Sequence, residues 1–409
     1  MTEDTAFAGA TRRTRTWVFG AVLALLLGAT IEIMARLFGE PIAERIGLDV
    51  TPINHILAGQ SAALTTLLED PATLVVLDST LGWRYRANYR RSENELNSAG
   101  MRATREYAPT PPAGVCRIGV FGDSFVYGTE VVNSSSWAAL LEGAADSLEV
   151  LNYGVGGYGT DQAYLRFLAE GDRYAPQVVL IGFAPVNLRR IQNVYRRFIA
   201  SNDLPIAKPR FIFADSGLAM LPPPFRSHAQ YRALRDVPSR VSALATHDAW
   251  YEPLRYESHA YRWSAAARFA IALGYRLWWR YAWEGRLLED GAFREASEAF
   301  RLQRAVLNAF ADSVRGRGAR PVFILFPDEE SVAGHRGGRR PVYAPLRNAL
   351  ERDARAEVID LIDDLGAEAA RVGPASLFAP GRHYSARGNA VVAAALARRL
   401  KLWRVTPCA

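Results

Sequence analysis

The chain opens on a polar, arginine-bearing stretch and then turns apolar from Trp17 to Ile31, continuing past Glu32 as a mostly apolar stretch to Phe38. The strictly apolar part is shorter than the ~20 residues a spanning helix prefers, so a cleaved signal peptide competes with a membrane anchor. The segment Glu32-Ile33-Met34-Ala35-Arg36 lacks a small-x-small cleavage site, and Glu32 and Arg36 are able to snorkel to an interface. The run is therefore read as an uncleaved transmembrane signal-anchor over 17–38 behind a cytoplasmic tail, 1–16. Arg12, Arg13 and Arg15 precede it, and the positive-inside rule then puts the rest of the chain outside the cytoplasm.

Residues 39–80 follow a helical pattern, 81–107 are polar and aromatic, and Ala108 to Gly114 is rich in turn residues, so 39–114 reads as a lead-in segment and linker. From there the pattern changes to short apolar runs set between helical periodicities: Arg117–Phe121, Glu149–Tyr153, Gln177–Phe183, Pro321–Phe326 and Glu357–Leu361. Near-continuous Val, Ile, Leu and Phe suits strands buried on both faces, and the intervals are long enough for crossover helices. The expected fold is a flavodoxin-like three-layer α/β/α sandwich around a five-stranded parallel sheet, occupying 115–409. A long helical insertion at 195–299 separates strands three and four. It includes Pro222-Pro223-Pro224 and a Trp-rich helix from Trp263 to Trp283. On that helix Arg262, Arg268, Arg276 and Arg280 share one face beside Trp278 and Trp279, which reads first as the solvated side of a core helix and second as a helix lying on a membrane surface. The insertion is a lid, a binding platform or a surface helix pair; the pattern does not choose.

Composition narrows the function classes. The 409 residues carry a formal charge of +7, and lysine occurs only at Lys208 and Lys401, so the excess is arginine scattered along the chain. No basic run is interleaved with aromatics, which argues against a nucleic-acid partner. Neither His-x-x-x-His nor Cys-x-x-Cys spacing occurs, so no metal and no cofactor is expected. The two cysteines, Cys116 and Cys408, form one bridge or remain two buried thiols.

In an open α/β sheet the reactive groups gather at the carboxyl ends of the strands. The first strand ends in Gly122-Asp123-Ser124-Phe125-Val126-Tyr127-Gly128, placing a serine on a sharp turn that leads into a helix, where its hydroxyl can attack and its N–H can face an oxyanion. It is not the Gly-x-Ser-x-Gly elbow, because Val126 stands where that elbow needs glycine. After the second strand, Gly154-x-Gly156-x-x-Gly159 spells a dinucleotide fingerprint. That fingerprint belongs on a first strand, with an acid ending the next, and the next strand here ends in Phe183-Ala184. A glycine-lined catalytic loop is the better reading. The third strand leads to Asn187, and His383 stands just before a final Ala/Val/Leu-rich helix. His55, His228, His247, His259 and His335 read as structural.

Ser124, Gly157, Asn187 and His383, in this order on successive strand ends, resemble the SGNH (GDSL-like) hydrolase family over about residues 81–402. The matching motifs are Gly-Asp-Ser at 122–124, Asn-x-Gly-x-x-Gly at 152–157 and His-Tyr-Ser-x-x-Gly-Asn at 383–389. The segment Asn97-Ser98-Ala99-Gly100-Met101-Arg102 resembles one that precedes the nucleophile in membrane-anchored bacterial members. The resemblance implies Ser124 as nucleophile, His383 as its base, and an oxyanion hole of the Ser124 N–H, the Gly157 N–H and the Asn187 amide. Two positions depart from the family: Pro380 stands where an aspartate usually precedes the histidine, and Leu188 where one follows the asparagine. The group that orients His383 is then a backbone carbonyl, giving a Ser-His dyad, or one of Asp360, Asp363 and Asp364 near the fifth strand. The expected activity is a periplasmic or extracellular serine esterase removing acyl groups, acetyl among them, from an envelope glycan or lipid. The rivals are an O-acyltransferase on an envelope polysaccharide and a degenerate protein that only binds glycan.

Overall fold

The computed structural model describes residues 3–48, 50, 53–91, 94–215, 217–256, 263–278, 284–335 and 337–400. The chain divides into two compact units, residues 1–59 with 252–284, and residues 60–251 with 285–409.

In the first unit one helix, α1 (Glu3–Ile46), runs well beyond the apolar stretch on both sides. Its window from Arg15 to Ile46 is long and apolar enough to cross a membrane, and Trp17, Leu25, Leu26 and Leu37 stand exposed on it. Glu32 does not simply reach for water. Its carboxylate accepts from the Ser264 hydroxyl at 2.7 Å and from the N–H groups of Ala265 and Ala266 at 2.9 and 3.1 Å. It thereby caps the Trp-rich helix (Ala265–Trp278), whose first N–H groups lack partners within the helix. Arg36 donates to Glu32 at 2.7 Å and to the Trp263 carbonyl at 3.0 Å. The core-helix expectation for this segment fails. Among its described residues only Ala265 is buried, and Leu273, Leu277 and Trp278 are exposed. Arg262, Trp279 and Arg280 lie outside the described residues.

The second unit holds all five expected strands. Ahead of them lies a hairpin of β1 (Val75–Asp78) and β2 (Gly82–Tyr85), paired antiparallel, followed by a shorter antiparallel pair at Arg90–Arg91 and Asn94–Glu95. The sheet consists of β3 (Cys116–Phe121), β4 (Leu148–Asn152), β5 (Val178–Phe183), β8 (Arg320–Leu325) and β9 (Glu357–Asp360), all parallel, in the order β9-β8-β5-β3-β4. This is the flavodoxin-like order, and its topological switch lies between β3 and β5, where the crevice beyond the strand ends opens. Every residue of β3, β4 and β5 is buried, which is why these runs show no polar alternation. One core cluster joins Ile118, Val120, Val322 and Ile324 to Val392 and Leu396 of the last helix, α7 (Ala386–Arg399).

The insertion is not purely helical. It carries an antiparallel hairpin, β6 (Arg210–Ala214) with β7 (Gly217–Leu221), and it is divided, with residues 252–284 assigned to the first unit. Lys208, just before that hairpin, is fully buried against Asp161, which is also fully buried. Cys116 is disulfide-bonded, and Cys408 lies outside the described residues.

Candidate active site

Ser124 follows β3 at the start of a one-turn helix, α2 (Ser124–Tyr127). Asp123 caps that turn by accepting from the Phe125 N–H at 2.9 Å, so the serine is fixed by its neighbour. The other Asp123 oxygen accepts from the Asn187 side-chain amide at 3.1 Å and from Arg190 at 3.0 Å. One carboxylate thus ties the end of β3 to the segment after β5, across the switch point. The Asn187 amide carries two N–H groups, and Asp123 takes one of them.

His383 comes from the loop before α7, and its Nε2 lies 2.8 Å from Ser124 Oγ. Its motif explains how it is held. Tyr384 donates to the Pro327 carbonyl at 2.6 Å, and Ser385 caps α7. The Asn389 amide donates to the Tyr384 carbonyl at 2.9 Å while its oxygen accepts from the Trp137 N–H at 3.0 Å. The ring of Phe125 sits 5.3 Å from the imidazole.

The acid at His383 is Glu130, which sequence reasoning missed. Its Oε2 lies 2.9 Å from His383 Nδ1 and accepts from the His383 N–H at 3.1 Å, and its Oε1 accepts from the Gly381 N–H at 2.6 Å. A carboxylate only accepts, so in the neutral ring Nδ1 carries the proton and Nε2 turns its lone pair to Ser124. Burial pushes the Glu130 carboxyl up, but the Gly381 N–H and the imidazole and N–H of His383 outweigh it, leaving the carboxyl below its ordinary range.

None of the three expected acids contacts His383. Asp360 accepts from Tyr343 at 2.9 Å and from Arg347 at 3.1 Å; Asp363 lies 3.2 Å from His335; Asp364 pairs with Arg398 and Arg399 at 2.7 and 2.6 Å. The reason is topological. These residues end or follow the edge strand β9, three places from β3 in the sheet, which at one strand spacing per step is about 14 Å. The dyad expectation falls with them, because a carboxylate does occupy the Nδ1 side.

Glu130 sits at φ +72°, a left-handed backbone that non-glycine residues seldom adopt. Arg102, buried, holds the surrounding turn. Its guanidinium donates to the carbonyls of Tyr127 (2.7 Å), Gly128 and Val131 and to the Asn133 side chain (2.8 Å). Its own N–H donates to the Asn152 carbonyl at 3.0 Å. Arg102, within the lead-in stretch 81–107, thus forms part of the wall of the site. The available signal was the arginine closing the Asn97–Arg102 motif.

After β4, Asn152 donates to the Val126 carbonyl at 3.0 Å and accepts from the Gly154 N–H at 2.9 Å, which seats the glycine loop beside α2. Gly157 has φ +81°, and a Cβ there would stand 3.3 Å from the Trp83 ring, so glycine alone suits the position. Among the described residues, the N–H groups of Ser124 and Gly157 donate to no protein acceptor.

No family model matches the chain, and no curated protein does. Solved structures similar to it include a member of the lipolytic protein G-D-S-L family from Veillonella parvula DSM 2008. It is 12% identical with a TM-score of 0.33, over 70% of this chain and 99% of that one. Another is LAE5, an alpha/beta hydrolase enzyme from the metagenome of Lake Arreo, Spain, 13% identical with a TM-score of 0.36, over 73% of this chain and 97% of that one. By its own sheet order the chain is a flavodoxin-like α/β fold, with Ser124, Gly157 and Asn187 beyond the carboxyl ends of β3, β4 and β5 and His383 ahead of the last helix.

Proposed function

We propose that the chain is an SGNH-type serine esterase working through an acyl-enzyme. The observation that carries this reading is the unbroken series Ser124, His383, Glu130, with contacts of 2.8 and 2.9 Å. Ser124 Oγ attacks the ester carbonyl carbon as its proton passes to His383 Nε2, and Glu130 stabilises the imidazolium that forms. The carbonyl oxygen takes up the negative charge and meets the N–H groups of Ser124 and Gly157 and the second N–H of Asn187. The carbon–oxygen bond to the alcohol then breaks, and the alcohol leaves with the proton from Nε2. Water, deprotonated by the same nitrogen, attacks the acyl-serine and releases the acid.

The substrate is an acyl ester, acetyl among the candidates, of an envelope glycan or lipid. The one helix among the described residues that is long and apolar enough to cross a membrane supports this, since an anchor with arginines before it would hold the enzyme at the outer face of a membrane. Retention of serine, glycine, asparagine, histidine and an acid together speaks against a binder that has lost catalysis.

The test uses the full chain in detergent with p-nitrophenyl acetate, beside Ser124→Ala. Loss of a serine nucleophile lowers kcat by on the order of 10⁵–10⁶. A fluorophosphonate probe is expected to label Ser124 alone. Equal rates in the two proteins sink the proposal. Acylated sugar recovered by mass spectrometry, in place of free acid, turns the assignment to an O-acyltransferase using the same residues.

A further inference from the structure

The Gly156–Gly157 peptide is restrained from outside its own loop, by β2. Successive side chains of a strand point to opposite faces, so Trp83 and Tyr85 share one face while Arg84 between them is exposed on the other. Trp83 is fully buried. Its indole N–H donates to the Gly156 carbonyl at 3.1 Å, and the Tyr85 hydroxyl accepts from the Gly156 N–H at 2.8 Å. Tyr158, at the far end of the loop, donates to the Trp83 carbonyl at 2.7 Å, so strand and loop hold each other. The approach is close enough that a Cβ on Gly156 would fall 2.4 Å from the Tyr85 oxygen. Burial pushes the Tyr85 phenol up to about 12, which keeps it neutral beside the loop.

In a trans peptide the carbonyl and the following N–H lie in one plane and point to opposite sides. Whatever fixes the Gly156 carbonyl therefore fixes the direction of the Gly157 N–H. That N–H donates to no protein acceptor among the described residues. We propose that Trp83 is a positioning residue for catalysis: by holding the Gly156 carbonyl, its indole N–H aims the Gly157 N–H at the oxyanion. Tyr85 fixes the preceding peptide and narrows the loop further. This inference rests on the esterase reading above and adds to it a role for a residue far from the nucleophile in sequence.

The chain contains nine tryptophans, so the test replaces this one alone. Site-specific incorporation of 3-benzothienylalanine at position 83 exchanges the indole N–H for sulfur at nearly constant shape, and Trp83→Phe is the second variant. Both are assayed as full-length protein with p-nitrophenyl acetate, beside wild type and Ser124→Ala. Outright loss of an oxyanion donor costs ~10²–10³ in kcat, and a misaimed donor is expected to cost about 10- to 100-fold. KM should stay within about twofold, because the interaction belongs to the transition state. Affinity for a trifluoromethyl ketone, which forms an anionic tetrahedral adduct on serine, should fall by the same factor as kcat. In the benzothienyl variant the melting temperature should fall by no more than the loss of one neutral hydrogen bond brings, and the shape of the pH–rate profile should not move. Unchanged kcat in a folded variant overturns the proposal. So does a fall in kcat and melting temperature together without the selective loss of ketone affinity, which makes the bond a packing contact only. A wild type no faster than Ser124→Ala is a different failure: it removes the esterase reading itself.

Discussion

On one flank of Ser124 stand His383 and Glu130, each with 23% of its side chain exposed; on the other stands the glycine loop, braced by buried Trp83, Tyr85 and Tyr158. The first flank is joined by contacts whose strength depends on a proton: imidazole to carboxylate, carboxylate to backbone N–H. The second is joined by neutral hydrogen bonds between phenol, indole and peptide groups. On the esterase reading proposed above, the difference fits the work each would do. A group that passes a proton changes charge during the reaction, and partial contact with water permits that. A group that meets developing charge must be aimed before the reaction and must not titrate, and a dry neutral setting gives that.

The largest effect expected from breaking the first flank comes from Glu130→Gln. The Gln amide presents a donor toward Nδ1, which favours the tautomer with its proton on Nε2, and that nitrogen can no longer accept from Ser124. A kcat lower by ~10³–10⁴ is expected in the ester assay. The same variant has a stability signature. Because the folded Glu130 carboxyl lies below its ordinary range, its contribution is present above the unfolded value of about 4.3 and is lost as pH falls through the folded one. The melting temperature of Glu130→Gln should lie under wild type at pH 7, and the gap should close as the pH is lowered below about 4. A gap that stays constant with pH removes the charge argument.

Next in size is Arg102→Met, which leaves the Gly128 and Val131 carbonyls without this buried donor and the Tyr127 carbonyl and Asn133 oxygen with only the longer bonds from Asn152 and the Glu95 N–H, each 3.4 Å. Each group left unsatisfied costs about 1–3 kcal/mol, so a clear drop in melting temperature is expected, with kcat down about 10- to 100-fold through the displaced Glu130 turn. Arg102→Lys should recover part of the stability and little of the rate, because an ammonium does not reproduce the planar fork. The smallest effect belongs to Asp363→Asn and Asp364→Asn, expected to change turnover by less than about twofold, as surface pairs remote from the imidazole. A loss of several orders in either would reassign the acid.

The sheet was legible because strands buried on both faces write themselves as unbroken apolar runs, and β3, β4 and β5 are of that kind. Ser124 and His383 were legible because the residues around them do local work that fixes their identity, such as Ser385 and Asn389 holding the histidine loop to α7. Glu130 was not. It belongs to an irregular turn with no periodicity, and its partner is more than 250 residues away, so only the closed fold brings the two together. The contacts that residues 81–107 make with the site were not legible, because aromatic and polar side chains facing a loop carry no period that marks their role. The alternation Trp83, Arg84, Tyr85 was the trace of a strand with one buried face, too short to stand out.

The hairpin formed by β1 and β2 decides where this protein can be divided. A recombinant fragment started at the first apolar run of the sheet, near residue 115, would contain the serine, the histidine and Glu130, yet leave behind Trp83, Tyr85 and Arg102. Such a product would carry its reactive groups on loops without their outer scaffolding. Any soluble version intended for assay should keep the polypeptide from ahead of Val75 onward.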